Sequence, residues 1–225
     1  MYQSVVFSCE HAGNNVPNEY AHLFQDEPEV LQTHRGWDPG AWTLAQFFAL
    51  SLNAPLLGCE STRLLIEANR SEDSPELFSV FSKRLLPEQK EKLHKEIYHP
   101  YRNQLQGIIE ASKKPVLHLS IHSFTPVWNG EERTVDIGIL FDPNNKPETD
   151  YSHQFKDELE KYLPDLKIRF NEPYRGTDDG ITTWLRKFYS ESVYTGIELE
   201  VNQKFASDLS KIQNQILNAI QATLH

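Results

Sequence analysis

Short apolar runs alternate with amphipathic stretches from one end of the chain to the other, and this alternation restricts the fold more than any other feature of the sequence. Alternating strands and helices are typical of a sheet that is covered by helices on both faces. We therefore predict an α/β fold. The predicted strands are residues 4–9, 55–59, 63–67, 116–121, 134–141, 167–170 and 193–201.

Apolar residues recur at helical spacing in three segments. Stripes over residues 41–52 and 205–224 predict two helices that pack on the sheet. The segment 87–112 is also helical in pattern, but Pro100 has no backbone N–H and disfavours an uninterrupted helix. We predict a break in this segment near His99.

The composition limits the possible functions. The 225 residues, with 39% hydrophobic content, suffice for one sizeable core, so we expect one domain over residues 1–225. A net charge of -10 without any basic run disfavours nucleic acid or an anionic membrane as a partner. Cys9 and Cys59 lie in apolar segments without metal-type spacing, and the first residues lack a targeting pattern. We expect a soluble, cytoplasmic protein with two buried thiols, and we leave its oligomeric state open.

Polar residues directly follow several predicted strands, which is where open α/β sheets bind their ligands. His11 follows the first strand, and His122 follows the strand at 116–121. Two such imidazoles with a carboxylate from elsewhere would form a three-ligand zinc site whose fourth position is left to water. Alternatively, each histidine is a hydrogen-bonded residue at the end of a strand. The spacing alone does not decide between the two.

Asp38 is the candidate carboxylate ligand. It also precedes Pro39 at the start of the helix predicted over 41–52, and on sequence alone a helix N-cap is the favoured interpretation. Glu10 is another candidate ligand. Because neighbouring residues of a strand point to opposite faces, Glu10 is instead a candidate for holding a ligand in place from behind.

Glu198 and Glu200 share one face of the last predicted strand. An unpaired carboxylate in so apolar a strand is costly to bury, so something must compensate it. A glutamate that faces an activated water would act as general base and then as acid toward the leaving amine. We assign this role to Glu200, which is nearer the end of the strand, and a structural role to Glu198.

Three further residues are candidates for substrate binding beside Asn69. Arg70 follows Asn69, and its planar fork matches a carboxylate, although a salt bridge to an acid such as Glu72 or Asp73 explains it as well. The loop-like regions at 125–133 and 171–180 are the other places where an α/β protein keeps specificity groups. The second of these loops offers Tyr174 and Arg175 as a clamp, although a solvated loop arginine is commoner.

Seven histidines remain besides His11 and His122. Five fall on helical or terminal stretches and are predicted to lie at the surface: His22, His94, His99, His153 and His225. For His34 the sequence gives no preference. For His118 it favours a position in the core or behind a ligand.

Seven segments, taken in order, resemble the N-formylglutamate amidohydrolase family, in its branch of predicted amidohydrolases. They are CEHAGNNVP, THRGWDPGA, RLLIEANRS, LHLSIHSFTP, DIGILFD, NEPYRG and IELEVNQ, and they run from about residue 5 to about residue 205. No single segment is specific. Seven in the family's order and spacing are hard to obtain by chance.

The resemblance implies one three-layer α/β/α domain with a mixed, mainly parallel sheet, phosphorylase/hydrolase-like and related to zinc carboxypeptidases. It also implies one zinc ion and a metal-activated water that hydrolyses an N-acyl amide. By motif, the metal ligands look like His11, Asp38 and His122, which raises Asp38 above its interpretation as a cap alone. Glu200 looks like the catalytic glutamate, and Arg70 is similar to the arginine that binds a substrate carboxylate.

One motif departs from the family pattern. The branch reads E-x-R-Q-D where this chain has Glu200, Val201, Asn202, Gln203 and Lys204. If the missing arginine binds an acidic substrate, N-formylglutamate is a poor substrate here. We therefore predict a zinc amidohydrolase of a small N-acyl amino acid, N-formyl amino acids included. The alternatives are a zinc peptidase or cell-wall amidase, and a non-catalytic ligand-binding member of the family.

Overall fold

A six-stranded sheet forms the centre of the computed structural model, which describes residues 2–224. Its strands are β1 (Ser4–Cys9), β2 (Leu56–Gly58), β3 (Val116–Phe124), β6 (Ile137–Leu140), β7 (Ile168–Phe170) and β8 (Tyr194–Asn202). They lie in the order β2-β1-β3-β8-β6-β7, and only the pairing of β6 with β8 is antiparallel. A separate two-stranded hairpin consists of β4 (Val127–Trp128) and β5 (Glu131–Glu132).

Helices cover both faces of this sheet. They are α1 (Ala41–Leu52), α2 (Pro87–Leu93), α3 (His99–Ala111), α4 (Lys146–Tyr162), α5 (Ile181–Leu185) and α6 (Gln213–Thr223). The apolar sides of α1, α4 and α6 join one hydrophobic cluster with the strands, and those of α3 and α5 join another. This three-layer arrangement with its mixed, mainly parallel sheet confirms the predicted fold class.

The two faces of the central strands differ in polarity. Odd-numbered residues 117–121 of β3 and 197–201 of β8 are aliphatic and belong to the core shared with α1, α4 and α6. Even-numbered residues carry the polar groups: His118, Ser120, His122, Glu198, Glu200 and Asn202. Because side chains alternate along a strand, one face supplies the core and the other supplies the functional groups.

The structure corrects three predicted elements. Residues 63–67 form turns and no strand, and their apolar side chains are buried in a third cluster with Tyr20 and Phe24. The helix predicted over 205–224 begins only at Gln213, after two short 3-10 turns. The segment 125–133 is not a simple loop, since it contains the β4–β5 hairpin.

The predicted break near His99 takes the form of a π-helical turn. Residues His94–Tyr98 wind more widely than an α-helix, and the N–H of His99 donates to the carbonyl oxygen of His94. The wider turn accommodates Pro100, whose ring would otherwise meet the carbonyl of the preceding turn. Helix α3 therefore continues from α2 with a change of winding and without a gap.

The predictions for the two cysteines and for His118 are confirmed. Cys9 and Cys59 are both buried free thiols. His118 is fully buried, with hydrogen bonds to Ser8 and Tyr194 of 2.8 Å each. The fifth predicted surface histidine, His225, lies outside the described residues. Within residues 2–224, no helix combines the length and the apolar character needed to cross a membrane.

A buried ion pair ties α4 to the residue that follows α5. Glu148 is fully buried and accepts two hydrogen bonds from the fork of Arg186, at 2.8 and 2.9 Å. It also accepts the backbone N–H groups of Asp142 and Gly196. Burial raises the pKa of Glu148, and Arg186 opposes that shift.

We expect Arg186→Met to lower the free energy of unfolding by about 3–5 kcal/mol, because it leaves the Glu148 carboxylate buried without its counterion. Urea unfolding followed by circular dichroism measures this loss. Lys146→Met is the control, since it removes an exposed pair with Asp150 and should cost less than about 1 kcal/mol. Equal, small losses in both variants would contradict an anchoring role for Arg186.

Candidate metal centre

A cavity of about 660 Å³ opens at the carboxyl ends of β1, β3 and β8. Its position agrees with the ligand crevice expected for an open α/β sheet. All eight predicted site residues line it: His11, Asp38, Asn69, Arg70, His122, Tyr174, Arg175 and Glu200. The structure thus brings together residues that are up to 189 positions apart in the sequence.

The floor of the cavity is formed by two imidazoles and one carboxylate. Parallel pairing of β1 with β3 brings His11 beside His122, with ring centroids 5.0 Å apart. The Oδ2 atom of Asp38 lies 3.2 Å from Nδ1 of His11 and 3.0 Å from Nδ1 of His122. All three side chains are buried, and their ligand atoms lie within 4.8 Å of one another.

Asp38 is not the N-cap of α1, contrary to the preference from sequence alone. The helix begins at Ala41, and its N-cap is Gly40, whose φ of 88° lies in the left-handed region. The Asp38 carboxylate instead turns toward the imidazoles and accepts the backbone N–H of Ser123 at 3.2 Å. Its own N–H donates to the carbonyl oxygen of His11. The Asp38 side chain therefore bonds to the groups that line the cavity, and no side chain caps the start of α1.

Carboxylates also hold the far nitrogens of both imidazoles. Nε2 of His11 lies 2.5 Å from Glu67, and Nε2 of His122 lies 3.0 Å from Glu10. Glu10 is itself fixed by the hydroxyl of Tyr101 at 2.5 Å. Such outer carboxylates set the orientation and tautomer of a metal-ligating imidazole. Glu10 thus occupies the holding position and not a ligand position.

Two residues that contact the floor, Arg63 and Glu67, are not among the site residues predicted from the sequence. The Nε of Arg63 donates to Glu67 at 2.6 Å, and its Nη1 lies 3.5 Å from Asp38. The strand predicted over 63–67 would place both side chains on one face but about 13 Å apart, which is too far for an ion pair. The available signal was an opposite-charge pair four residues apart, enclosing three consecutive aliphatic residues.

The carboxylates determine the ionisation of the floor. Burial and Arg63 act to lower the pKa of His11, but Glu67 and Asp38 outweigh them and the pKa is raised. Burial likewise opposes protonation of His122, yet its partners Asp38 and Glu10 raise its pKa well above the usual value. The reciprocal effect holds the pKa of each of these carboxylates well below its usual range. The buried acids and imidazoles therefore stabilise each other's charged forms.

Glu200 differs from these carboxylates because it lacks a close counterion. Its Oε2 atom is buried and has no hydrogen-bond partner within residues 2–224. Burial raises its pKa to about 7, with Asp38 and Glu198 adding to the shift and His122 opposing it. Glu198 by contrast accepts a 2.6 Å hydrogen bond from the hydroxyl of Thr182. One carboxyl of β8 is therefore anchored, and the other is available to the cavity.

Arg70 lies in the wall of the cavity with its guanidinium already facing an acid. Its Nε is 3.1 Å from a carboxylate oxygen of the exposed Glu76, and its Nη1 donates to the backbone of Asp179 at 2.8 Å. The salt bridge to a nearby acid that the sequence left open as an alternative is therefore present, with Glu76 as the partner and not the examples Glu72 or Asp73. The backbone contact orients the fork, and the exposed carboxylate is replaceable.

The other substrate-binding candidates occupy different parts of the wall. Asn69 is buried and accepts the first backbone N–H of α5 at 2.7 Å. Tyr174 and Arg175 are exposed at the cavity mouth. The Tyr174 hydroxyl accepts from Arg133, whose guanidinium also lies 5.2 Å from the ring of Trp128. The two predicted specificity loops therefore meet at the mouth.

The residues of the floor fit a zinc ion. Two imidazoles with one carboxylate are a ligand set of catalytic zinc sites that keep a position open. The Nδ1 atoms of His11 and His122 both face Asp38, while their Nε2 atoms are engaged by other carboxylates. The buried carboxyl of Glu200, with its unpartnered oxygen among the described residues, lines the same cavity.

Comparison with known proteins identifies the family. The family model described as N-formylglutamate amidohydrolase matches residues 3–206. The chain belongs to the N-formylglutamate amidohydrolase family. A solved structure of a gene product from Agrobacterium tumefaciens is 25% identical over 99% of this chain and 92% of that one, with a TM-score of 0.79. No curated protein matches the chain.

Other solved structures are much more distant from this member of the family. The N-acetylmuramoyl-L-alanine amidase AmiC2 of Nostoc punctiforme is 11% identical over 98% of this chain and 94% of that one, with a TM-score of 0.41. A metallo-carboxypeptidase from Burkholderia cenocepacia is 11% identical over 100% and 57%, with a TM-score of 0.44. Likenesses this weak carry no argument about function. The family itself makes the chain an amidohydrolase, as predicted.

The departure from the family motif lies outside the cavity lining. The side chain of Asn202 donates to the carbonyl oxygen of Val135 at 2.9 Å and accepts the backbone N–H of Lys204 at 3.0 Å. The ammonium group of Lys204 pairs with Asp136. Both residues thus stabilise the chain reversal after β8, and neither faces the cavity floor.

We expect Glu200→Gln to stabilise the protein in the presence of a metal chelator. The native pKa of Glu200 is about 7 against a usual 4.5, so the carboxyl's contribution to stability falls as the pH rises from about 4.5 through 7. Glutamine removes that penalty. The free energy of unfolding should rise by about 1–3 kcal/mol at pH 8 and change little below pH 5. Urea unfolding at both pH values tests this, and equal gains at the two would contradict it.

Proposed function

We propose that the chain is a zinc-dependent amidohydrolase that hydrolyses the amide of a small N-acyl amino acid, with N-formyl amino acids the smallest of that class. The observation that carries the proposal is the convergence of His11, Asp38 and His122 beside the buried carboxyl of Glu200. Family membership supports an amide bond as the target. Arg70 in the same cavity supports a substrate that bears a carboxylate.

The charge of the cavity floor supports a divalent cation there. Glu10, Asp38 and Glu67 are ionised, since their pKa values lie well below the usual range, and Arg63 supplies one positive charge. Metal ligation requires neutral imidazoles. With neutral imidazoles, these four groups leave two negative charges without compensation, and Glu200 adds a third when it is ionised to act as a base. One zinc ion would offset two of these charges.

The chain's own residues would divide the work of hydrolysis. His11, Asp38 and His122 would hold the zinc ion, which supplies Lewis acidity toward water and toward the acyl oxygen. Glu200 takes a proton from the attacking water and then gives it to the nitrogen of the leaving amine. A carboxyl in a buried position, without a counterion of its own, suits both transfers. Glu10 keeps the His122 ring oriented throughout.

Arg70 would fix the carboxylate of the amino acid. A guanidinium offers two parallel N–H groups to a carboxylate, and the Asp179 backbone holds this one in place. The exposed carboxylate of Glu76 already occupies that position, which supports a site suited to carboxylates. A substrate carboxylate would displace Glu76 and leave the amide over the cavity floor.

The size of the cavity favours a second candidate substrate class. A volume of about 660 Å³ exceeds the needs of a formyl amino acid. It falls in the range of roughly 300–1,000 Å³ that larger ligands occupy. A zinc peptidase or cell-wall amidase is therefore the second candidate function, with the same floor acting on a larger amide. Turnover of N-formyl and N-acetyl amino acids, dipeptides and muramoyl peptides by one preparation separates the two.

A non-catalytic ligand-binding role has less support. Its motive is the pair of replacements at Asn202 and Lys204. These side chains bond to the Val135 and Asp136 region and do not line the cavity. Glu200, on which catalysis depends, is retained. The replacements therefore affect residues that surround the site and do not change the groups proposed to carry out the reaction.

We expect His122→Ala to bind one equivalent of zinc fewer than the wild type, because it removes one of three ligands. Equilibrium dialysis against Zn²⁺ followed by elemental analysis measures the stoichiometry. His153→Ala, at an exposed position of α4, is the control and should retain the wild-type value. Undiminished zinc in His122→Ala would show that the ligand set is wrong.

We expect Glu200→Gln to lower kcat by about 10²–10⁴-fold on any amide that the zinc-loaded protein turns over, because glutamine cannot transfer the proton. Release of formate or amine measures the rate. Glu198→Gln, on the same face of β8, should lose far less because its group is bonded to Thr182. Unchanged activity in Glu200→Gln would exclude the mechanism.

A further inference from the structure

A second group of metal-ligating side chains lies outside the cavity. It consists of Glu72, which follows Arg70 by two residues, and of His94 and His99 at the junction of α2 and α3. The sequence predicts both histidines at the surface. The His94 side chain is instead only 13% exposed and lies edge-on against the rings of Phe78 and Tyr98. None of the three proposed ligands lines the cavity.

The π-helical turn is what brings the two imidazoles together. Residues five apart in an α-helix point about 140° away from each other, because each residue turns the chain by about 100°. The N–H of His99 bonds directly to the carbonyl oxygen of His94, so the wider turn places the two side chains on one side. Their rings lie 5.4 Å apart at an angle of 31°. Single π turns of this kind occur frequently at functional sites.

The distances within this group suit an ion and do not suit hydrogen bonds. A carboxylate oxygen of Glu72 lies 3.7 Å from Nδ1 of His94 and 3.6 Å from Nε2 of His99. Nitrogen–oxygen hydrogen bonds are shorter, at about 2.7–3.2 Å. Ligand atoms about 2.0–2.2 Å from a tetrahedral zinc lie roughly 3.3–3.6 Å from one another. The two separations from Glu72 are within about 0.1 Å of the edges of such a tetrahedron, and the three ligand atoms all lie within 4.8 Å of one another.

His94 supplies a second, independent observation. Its Nδ1 atom is buried, points toward Glu72, and has no hydrogen-bond partner within residues 2–224. Buried polar nitrogens nearly always have a hydrogen-bond or metal partner, so a buried nitrogen without one indicates a binding partner that is not part of the protein. The carboxylate of Glu91 also lies close enough to act electrostatically on both imidazoles. The surroundings of the group are therefore favourable to a cation.

We propose that Glu72, His94 and His99 form a second binding site for a divalent transition-metal ion of the zinc class, separate from the cavity floor. Two imidazoles and one carboxylate select such an ion over magnesium or calcium, which prefer oxygen ligands. Water completes the coordination at the exposed side. The site is independent of the proposed hydrolytic function.

The ion at this site would fix the segment that carries Arg70. Glu72 belongs to that segment, and its histidine partners belong to the α2–α3 junction. The same junction already holds the backbone of Arg70, whose carbonyl oxygen accepts from Tyr98 at 2.8 Å and from Arg102 at 2.5 Å. Binding of the ion adds a third connection between the junction and the segment. Exchange of backbone amides in residues 70–76 should slow when it binds.

The first measurement is zinc stoichiometry by equilibrium dialysis with Zn²⁺ alone, on three forms of the whole chain. The His11→Ala, His122→Ala double variant lacks the cavity floor and should retain one equivalent. Adding Glu72→Gln and His99→Gln should remove that equivalent or weaken its binding by about tenfold or more, since losing a ligand costs at least as much as losing an outer partner. His22→Gln with Glu29→Gln makes the same chemical changes at exposed positions and should remove nothing.

Each outcome decides the matter. Zinc that is retained by the floor-deficient protein and lost with Glu72→Gln and His99→Gln establishes the site. Zinc unaffected by those two changes, or absent from a floor-deficient protein whose circular dichroism equals that of the wild type, overturns it. Exchange by mass spectrometry gives a readout independent of activity: added Zn²⁺ should slow exchange in residues 70–76 only while Glu72 and His99 are present. Circular dichroism verifies that each variant is folded. Because Glu72 is exposed, its replacement should not disturb the fold.

Discussion

The structure around the cavity depends on burying carboxylates at the ends of strands. Glu67, His11, Asp38, His122 and Glu10 form one continuous chain in which each imidazole lies between two acids. Every link is short and hidden from water. Because an uncompensated charge is costly in such a place, removing any one member leaves its neighbours without a partner. These contacts therefore hold two loops against two strands. The buried carboxylates need positive charge nearby, and this makes the floor suited to a metal ion.

The central strands can support this site because their two faces differ. One face carries the aliphatic side chains that stabilise the core, and the other carries the polar groups of the site. Residues 117–121 and 197–201 place aliphatic side chains in the core on their odd positions. Their even positions carry the imidazoles, hydroxyls and carboxylates that a core cannot accept without partners. Parallel pairing of β3 with β8 places His122 opposite Glu200, so a candidate ligand and the candidate proton carrier share one level of the sheet. Neither could be shifted by one residue without moving into the aliphatic layer.

The sequence was sufficient wherever periodicity and local chemistry agreed. The central strands and the polar groups at their ends could be predicted, because alternation reports which side chains share a face. The strand predicted over 63–67 is wrong, because the apolar residues there are buried beneath a loop and do not pair in the sheet. The preference for Asp38 as a helix cap is also wrong. Its position before Pro39 is typical of a cap, and only the imidazoles, which are distant in sequence, explain its orientation. The stripe over 205–224 predicts the right contacts but the wrong winding, because 3-10 turns also pack Phe205 and Leu209, partly buried, against the core.

Two loops contact each other at the cavity mouth. The guanidinium of Arg133 lies 5.2 Å from the rings of both Trp128 and Tyr174, and it donates to the Tyr174 hydroxyl. Stacking and hydrogen bonding of this kind hold an arginine in one orientation. The β4–β5 hairpin and the loop at 171–180 are thereby joined across the entrance, although 41 residues separate Arg133 from Tyr174. A change in either loop alters the opening that both enclose. Buried charges fix the floor of the cavity, whereas an exposed aromatic contact joins the loops at its entrance.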